Sequence, residues 1–283
     1  MLVTPFYPYP AHKAEVGTSM LERTQVYMRP IKALGQHFLV NKAVAEVEAE
    51  HARGKKVIEL GPGYGVLTRE LCRKAKRVVA VELDKNLASV LKSKMRARNL
   101  RVINKDFFEA TDDELSIRDT DIMISNVPYK LSSRVIEYLL DHRLQAVLCL
   151  QKEFVQHMAA SPGTREYSKL SVMFQLGFSH TKLVNVSKGS FRPIPRVDSV
   201  VIYIKPKESP IGDIERRVIN AMMQHKKKSV RNALADSSEL IGMTAAEARD
   251  AAQDLKEKDS KVFKLSPDEI LAVADRVGAK LKR

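Results

Sequence analysis

The chain has 283 residues and a formal net charge of +14 at pH 7, from 48 lysines and arginines against 34 aspartates and glutamates. This excess favours a polyanionic partner such as nucleic acid, and no apolar run approaches the roughly 20 residues that cross a bilayer, which argues against a membrane protein. The two cysteines, Cys72 and Cys149, lack metal-ligand spacing, so we predict buried thiols in a reducing cytoplasm and no bound metal.

The first 30 residues contain four prolines and several charges but no continuous apolar segment. This composition is not that of a secretory signal. We predict a mobile N-terminal extension over residues 1–30. A basic segment at 31–35 then leads into a helix predicted over 42–51.

From residue 55 onward, apolar strand-like runs alternate with helical patterns. Such alternation predicts a parallel sheet covered by helices. Strands are predicted at 55–60, 77–81, 100–104, 121–125, 144–150, 181–186 and 199–204, and helices at 152–160 and 169–177. After a predicted linker at 205–212, the pattern is helical to residue 283, with no strand signal.

The first predicted strand runs into a glycine-rich turn, Gly61-Pro62-Gly63-Tyr64-Gly65. Glycines between a strand and a helix let a ligand approach the backbone closely. The dinucleotide-binding fingerprint needs a glycine where Val66 stands, and a phosphate-binding loop needs Lys-Ser/Thr after the glycines, so the turn matches neither. Glu59 precedes the turn with a negative charge that suits a cationic ligand, although we expect it to order the loop rather than to touch the ligand.

Acidic residues follow the next two predicted strands. Glu82 lies about twenty residues beyond Gly61, where an acid in a doubly wound fold holds a ribose through its hydroxyls. Asp106, followed by an aromatic at Phe107, could bind the amine edge of an adenine. Either acid could instead cap the helix that follows it. Their common position is nevertheless informative, because ligands of such sheets bind outside the carboxyl ends of the strands.

The fourth predicted strand ends in the tetrapeptide Asn126-Val127-Pro128-Tyr129. The Asn126 amide oxygen and the Val127 carbonyl can accept the two hydrogens of an exocyclic amine, and the Tyr129 ring can stack on a planar base. Pro128 fixes the backbone and removes one N–H donor. The alternative is a plain strand-to-helix turn, in which Asn and Pro are common.

Two further segments complete the set: Gly35-Gln36-His37-Phe38-Leu39 before the first strand and the segment 191–199, with Phe191 at its start, before the last strand. In this order and spacing, the segments resemble the KsgA-type ribosomal RNA adenine N6,N6-dimethyltransferases, which are class I S-adenosylmethionine-dependent methyltransferases. The resemblance covers about residue 32 to the C-terminus. It departs at His37, where bacterial members often carry Asn.

The resemblance implies an α/β fold: a Rossmann-like, seven-stranded, mostly parallel sheet with one reversed strand near its edge, followed by a small all-helical domain. It divides the chain into a methyltransferase domain at 31–207 and a helical, RNA-binding C-terminal domain at 208–283. Periodicity alone does not give the reversed strand.

The resemblance also implies roles for single residues. The residues implied to bind S-adenosylmethionine are His37, Leu39, Gly61, Gly63, Glu82, Asp106 and Asn126. The methyl-transfer site is implied to consist of Asn126, Val127, Pro128, Tyr129 and Phe191. Tyr129 and Phe191 would stack on opposite faces of the target base, although Phe191 could also be an ordinary core residue. No general base is needed, because the amine loses its proton easily once it carries positive charge.

The most basic stretch lies in the C-terminal part of the chain. By itself it is typical of a solvated helix face, but the resemblance implies contact with the phosphates of small-subunit rRNA within a pre-ribosomal small subunit. The residues predicted to contact RNA are Lys226, Lys227, Lys228, Arg231, Arg192 and Arg196, the last two beside the target pocket. We expect a monomer that acts in the cytoplasm.

The implied reaction is dimethylation of two adjacent adenines near the 3′ end of small-subunit (16S-type) rRNA, with a role in small-subunit biogenesis. One alternative is a methyltransferase with another substrate, such as large-subunit rRNA in the resistance-type enzymes, DNA adenine or a small molecule. The basic C-terminal part argues against a small molecule. Another alternative is a non-catalytic ribosome assembly or transcription factor, but Glu82, Asp106 and Asn126 are all present, which favours activity.

Overall fold

The computed structural model describes residues 37–208 and 211–281. The extension predicted at 1–30 lies outside the described residues, as do Gly35 and Gln36 of the upstream motif. The described strands are β1 Phe38–Leu39, β2 Lys56–Leu60, β3 Arg77–Glu82, β4 Leu100–Asn104, β5 Ile122–Asn126, β6 Ala146–Gln151, β7 Phe178–Val186, β8 Phe191–Arg192 and β9 Ser199–Pro206. The described α-helices are α1 Lys42–Glu50, α2 Val66–Lys74, α3 Lys85–Lys94, α4 Asp112–Leu115, α5 Ser132–His142, α6 Lys152–Met158, α7 Lys169–Gly177, α8 Asp213–Gln224, α9 Val230–Asp236, α10 Ala245–Ala251 and α11 Pro267–Leu281.

Seven strands form one sheet in the order β4-β3-β2-β5-β6-β9-β7. The pairs from β4 to β6 are parallel, whereas β9 is antiparallel to both of its neighbours, β6 and β7. The predicted α/β fold, with one reversed strand next to the edge, is therefore confirmed. Strand β7 begins at Phe178, three residues before the predicted start at 181.

The central strands are buried on both faces because helices cover the sheet on each side. Val57 of β2 packs with Leu71 of α2 on one face. Its neighbour Ile58 packs with Leu139 of α5 on the other face. Successive strand residues point to opposite faces, so a run such as Val78–Val81 must be apolar throughout. This requirement explains why these strands read as continuous apolar runs in the sequence.

Helices α8 to α11 enclose a second hydrophobic cluster, which includes Val218, Leu234 and Val273. Tyr167 and Val172, which precede the predicted boundary at 207/208, are also buried in this cluster. The C-terminal helices therefore pack directly on the segment that leads into α7, and the domain boundary stays a prediction. No described helix has both the length and the apolar character that are needed to cross a membrane.

A two-stranded ribbon pairs β1 with β8, with Phe38 opposite Arg192 and Leu39 opposite Phe191. We did not predict this ribbon, because two residues are too few to show a period of two. It joins the upstream motif to the segment 191–199 across about 150 residues of sequence. The ribbon thus lies beside the carboxyl ends of the strands, where the glycine turn and the tetrapeptide meet.

Candidate active site at the carboxyl ends of the strands

The glycine turn links β2 to α2 through backbone conformations that only glycine adopts easily. Gly61, Gly63 and Gly65 have φ angles of +66°, +57° and +79°, in the left-handed region that strains other residues. Gly63 has a second constraint, because a Cβ there would lie 2.6 Å from Cδ1 of Phe38. The turn therefore exposes a bare backbone edge beneath the Phe38 ring.

The carboxylate of Glu82 joins the glycine turn to the tip of β3. Its Oε2 accepts a hydrogen bond from Gly63 N–H at 3.0 Å, and its Oε1 accepts one from Asp84 N–H at 3.0 Å. Glu82 is 4% exposed, and burial raises the pKa of its carboxyl above the usual value. Each carboxylate oxygen can accept two hydrogen bonds, so two backbone donors leave capacity for ligand hydroxyls.

Asp106 lies at the tip of β4, beside the Glu82 segment. Its Oδ1 accepts from Phe108 N–H at 2.8 Å, which fixes the carboxylate in a local turn. Asn104 ties the two tips together, because its Nδ2 donates to the carbonyls of Glu82 at 2.8 Å and Leu83 at 3.1 Å. The Phe107 ring, in contrast, is buried in the main core.

The side-chain amide of Asn126 is oriented by a residue that the sequence analysis did not single out, Glu48. Nδ2 of Asn126 donates to Oε2 of Glu48 at 3.2 Å. Oδ1 of Asn126 is buried and has no hydrogen-bond partner among the described residues. Glu48 lies on the apolar face of α1 with Val44, Ala45 and Ala49. An acid at helical spacing within an apolar face was the signal that could have identified it.

Two buried carboxyl groups, those of Glu48 and Glu59, lie beneath the site. Both are at most 1% exposed. Burial raises the pKa of Glu48 to about 8, and the hydrogen bond from Asn126 opposes that rise. Burial also raises the pKa of Glu59 to about 8, and the carboxyl groups of Glu48 and Glu82 push it in the same direction. The floor of the site thus consists of acids that resist ionisation unless a cation compensates their charge.

Pro128 and Tyr129 connect the end of β5 to its neighbours on both sides. A Cβ on Gly61 would lie 3.6 Å from Cγ of Pro128, so the tetrapeptide and the glycine turn are in contact. The Tyr129 hydroxyl forms a 2.9 Å hydrogen bond with Oγ of Ser199. The His37 ring lies 5.5 Å from the Tyr129 ring, centroid to centroid, which brings the upstream motif to the same place.

The predicted site residues in and beside the β1–β8 ribbon differ in how far they are exposed to the site. Nδ1 of His37 is 2.7 Å from the Pro193 carbonyl oxygen, and the Phe38 ring meets Tyr64 edge-on at 4.6 Å. Leu39 and Phe191 face inward, and Phe191 is only 2% exposed. Stacking of Phe191 on a target base would require the ring to leave this core, so that role stays a prediction.

The glycine turn, His37, Leu39, Glu59 and Asn126 together line one small cleft. Its enclosed space is about 30 Å³, comparable to the volume of a single water molecule. Phe38 lies against Gly63, and both Phe38 and Tyr64 border the cleft. A ligand much larger than water therefore requires residues that border this cleft to shift.

Three of the four C-terminal basic residues that were predicted to contact RNA have partners within the protein. Nζ of Lys226 donates to the carbonyls of Arg165 and Tyr167. Lys228 pairs with Asp236, and Arg231 pairs with Asp259 at 3.5 Å. Lys227 is exposed and has no ion pair within the described part of the chain.

The sheet order identifies the class of fold. With the strands renumbered from β2, the order is 3-2-1-4-5-7-6 with the seventh strand reversed, which is the arrangement of the methyltransferase sheet. A dimethyladenosine transferase from Plasmodium falciparum has a similar structure, with a TM-score of 0.72 and 26% identity over 84% of this chain and 96% of that one. The 23S rRNA methyltransferase ErmE shares the fold, with a TM-score of 0.58 and 23% identity.

Sequence comparison identifies the family. The ribosomal RNA adenine dimethylase family matches residues 30–277. A probable ribosomal RNA small subunit methyltransferase A from Thermococcus gammatolerans is 35% identical over 87% of this chain and 88% of that protein. The protein of that description from Methanopyrus kandleri is 35% identical over 92% of this chain and 96% of its own length. The chain belongs to the ribosomal RNA adenine dimethylase family of S-adenosylmethionine-dependent methyltransferases.

Proposed function

We propose that this protein dimethylates the exocyclic amines of two adjacent adenines near the 3′ end of small-subunit rRNA during small-subunit biogenesis. The observation that carries the proposal is the Asn126 amide. Its nitrogen is held by Glu48, and its buried oxygen has no partner in the described part of the molecule. An amine hydrogen would satisfy this oxygen, and a buried acceptor that stays unpaired is costly.

The residues at the strand tips fit S-adenosylmethionine. Gly61 and Gly63 offer a bare backbone, Glu82 offers lone pairs for ribose hydroxyls, and Asp106 offers a carboxylate for the adenine amine. His37 and Leu39 would close the site from the ribbon. The buried acids Glu48 and Glu59 suit a ligand with a positive charge, because a nearby cation favours their ionised forms.

When bound, S-adenosylmethionine supplies a methyl group that its sulfonium already activates. The protein's part is to prepare the nitrogen that accepts it. Oδ1 of Asn126 and the Val127 carbonyl each accept one amine hydrogen, which moves the nitrogen toward tetrahedral geometry and frees its lone pair. The amine would gain the methyl group that the bound cofactor supplies, and its extra proton would pass to water, so these residues need not include a general base.

The target adenine must leave its stack to reach this site. Tyr129 would stack on the base, and two contacts support this role: its hydroxyl bonds to Ser199, and its ring lies near that of His37. Stacking of a base on an aromatic ring contributes about 1–3 kcal/mol. Pro128 keeps the turn rigid between the base and the glycine turn. Phe191 would supply the second face after a change of rotamer.

The names of the relatives support small-subunit rRNA as the substrate. Proteins named as small-subunit methyltransferases are 35% identical over most of both chains, whereas ErmE, named for 23S rRNA, shares only the fold. A non-catalytic role is disfavoured, because the motif residues Glu82, Asp106 and Asn126 are all present. An assembly role could coexist with catalysis.

The test is to incubate the chain with radiolabelled S-adenosylmethionine and either unmethylated small subunits or large subunits. We expect label in the rRNA of the small subunits alone. Label in the large subunits would favour the resistance-type alternative, and no label in either, despite measurable cofactor binding, would favour the non-catalytic one.

A further inference from the structure

A groove next to the target site has a basic lining that the C-terminal helices do not contribute. One section, of about 390 Å³, is bordered by Lys152, Lys188 and Arg196. An adjoining section, of about 290 Å³, extends along β7 to Lys182. Lys152 and Gln156 of α6 border both sections, so the two are continuous.

The cations of this groove are available to a ligand. Lys152, Lys182, Lys188 and Arg196 are all exposed. No ion pair within residues 37–208 and 211–281 engages any of them, unlike Lys228 and its partner. Two acids, Glu153 and Asp198, border the groove. The Asp198 carboxylate is occupied in part, because its Oδ1 accepts from Lys188 N–H at 2.9 Å.

The groove is built onto the target site. Lys152 N–H donates to the Asp198 carbonyl at 3.1 Å, which ties the start of α6 to the segment before β9. The next residue, Ser199, holds the Tyr129 hydroxyl. A polymer whose base stacks on Tyr129 can therefore continue directly into the groove.

We propose that this groove binds the phosphodiester backbone of the RNA strand on one side of the methylated adenines. The inference rests on the proposed function. The groove would be a second basic surface that contacts phosphates. It lies next to the sheet, apart from the surface predicted at Lys226–Lys228. Such contacts fix the position of the strand without reading its sequence.

The experiment compares wild type with Lys152→Glu/Lys188→Glu, and uses Lys76→Glu/Lys92→Glu as the matched control. Lys76 precedes β3 and Lys92 lies in the last turn of α3, both toward the opposite end of the sheet, and the net charge change is the same. The probe is a fluorescent RNA hairpin with adenines in its loop, titrated at several salt concentrations.

We expect the groove variant to flatten the slope of log K against log salt by about 1.4, since each single-strand phosphate contact contributes roughly 0.7. S-adenosylmethionine affinity and the control's slope should stay unchanged. Equal slopes for the two double variants would overturn the proposal. The wild-type protein could instead bind the hairpin through the groove but transfer no methyl group to any rRNA. That result would refute the proposed function and still support RNA binding by the groove.

A separate observation concerns Glu48. The side-chain amide of Asn126 can adopt two orientations, related by a rotation that exchanges its oxygen and nitrogen. Only one of them directs Oδ1 toward the site. In the other, the amide nitrogen would face the target amine, where it cannot accept hydrogens. We infer that Glu48 is a positioning residue, whose Oε2 selects the productive orientation by accepting from Nδ2 at 3.2 Å.

This second inference also rests on the proposed function, and a double-mutant cycle tests it. Glu48→Leu should lower the single-turnover methylation rate roughly ten-fold or more, the loss expected for one buried hydrogen bond. In the Asn126→Ala background, Glu48→Leu should not lower the rate further, because the amide that Glu48 orients is absent. The control Glu46→Leu changes an exposed acid of the same helix and should leave the rate unchanged.

Glu48→Gln retains an acceptor but also offers a donor to Oδ1, so it should rescue the rate only in part. Affinity for RNA should be preserved, and the rates are compared at saturating S-adenosylmethionine. An equal rate loss in both backgrounds would mean that Glu48 acts only through packing and would overturn the inference. If no methylation is found at all, NMR still tests the hydrogen bond between Glu48 and Asn126. The side-chain amide signals of Asn126 should shift in Glu48→Leu and not in Glu46→Leu.

Discussion

The backbone N–H of Gly63 donates to the Glu82 carboxylate at 3.0 Å, so one acid both shapes the glycine turn and offers its remaining lone pairs to a ligand. The second oxygen is held by Asp84 N–H at the tip of β3. Two strand tips are thereby locked together before any ligand binds. This preorganisation is what a site for a flexible cofactor requires.

Glu82→Gln should weaken S-adenosylmethionine binding about 10- to 100-fold, because a charge-assisted hydrogen bond of roughly 1.5–3 kcal/mol is replaced by a weaker one. Isothermal titration calorimetry measures the change. Glu46→Gln, on an exposed surface, is the control and should bind like wild type. An unchanged affinity in Glu82→Gln would remove Glu82 from the cofactor site.

Gly63→Ala should destabilise the protein more than Gly54→Ala. Both residues have positive φ, +57° and +70°, so both substitutions incur a backbone penalty of about 1–2 kcal/mol. At Gly63 the new methyl group would also collide with Phe38 at 2.6 Å, whereas nothing lies within 4 Å at Gly54. Urea unfolding measures the difference, and equal destabilisation by both variants would show that Phe38 moves aside freely.

The sheet could be predicted from the sequence because its strands are continuous apolar runs bounded by glycines and acids. All seven predicted strands overlap observed ones. The turns at Gly61, Glu82, Asp106 and Asn126 share one edge of the sheet, because parallel strands bring their carboxyl ends together. The position of the reversed strand came from the family resemblance, since periodicity carries no direction.

The parts that could not be predicted depend on contacts between distant residues. The β1–β8 ribbon pairs Leu39 with Phe191, and neither two-residue strand has a period to detect. Glu48 stands out as an acid within the apolar face of α1, but its hydrogen bond to Asn126 follows only from the packing of distant segments. The partners of Lys226 and Lys228 likewise follow from tertiary packing, which a basic run in a sequence does not reveal.

Lys226 and Lys227 are adjacent but should respond differently to substitution. Lys227→Glu should weaken RNA binding and leave the urea midpoint unchanged, because the side chain is exposed. Lys226→Met should lower stability by about 1 kcal/mol or more, because the carbonyls of Arg165 and Tyr167 lose their donor. RNA titration and urea unfolding of both variants provide the check. If both variants lost RNA affinity alike and kept full stability, the internal bonds of Lys226 would be unimportant.

The buried acids predict a pH dependence of stability. The pKa values of Glu48 and Glu59 are raised from 4.5 to about 8 on folding. Between these values the folded state retains protons that the unfolded state has released, so stability falls as pH rises from about 4.5 to 8. Glu48→Gln/Glu59→Gln should reduce this fall by up to several kcal/mol. Urea unfolding at pH 5 and pH 8 measures the change in unfolding free energy. The same fall in wild type and in the double variant would contradict the raised pKa values of Glu48 and Glu59.

Asn126→Ala should nearly abolish methyl transfer while cofactor affinity is largely kept, because the lost acceptor acts on the target amine. Single-turnover transfer and calorimetry separate the two quantities. Unchanged turnover would refute the role of the amide.

The central claim is that the strand-tip site methylates adenine amines in small-subunit rRNA. Its most direct test is mass spectrometry of nuclease-digested rRNA from unmethylated small subunits, after incubation with the protein and S-adenosylmethionine. The expected result is N6,N6-dimethyladenosine at two adjacent adenines near the 3′ end of the rRNA with wild type, and none with Asn126→Ala. Unmodified adenines in the presence of wild type, under conditions where it binds both cofactor and subunit, would contradict the claim.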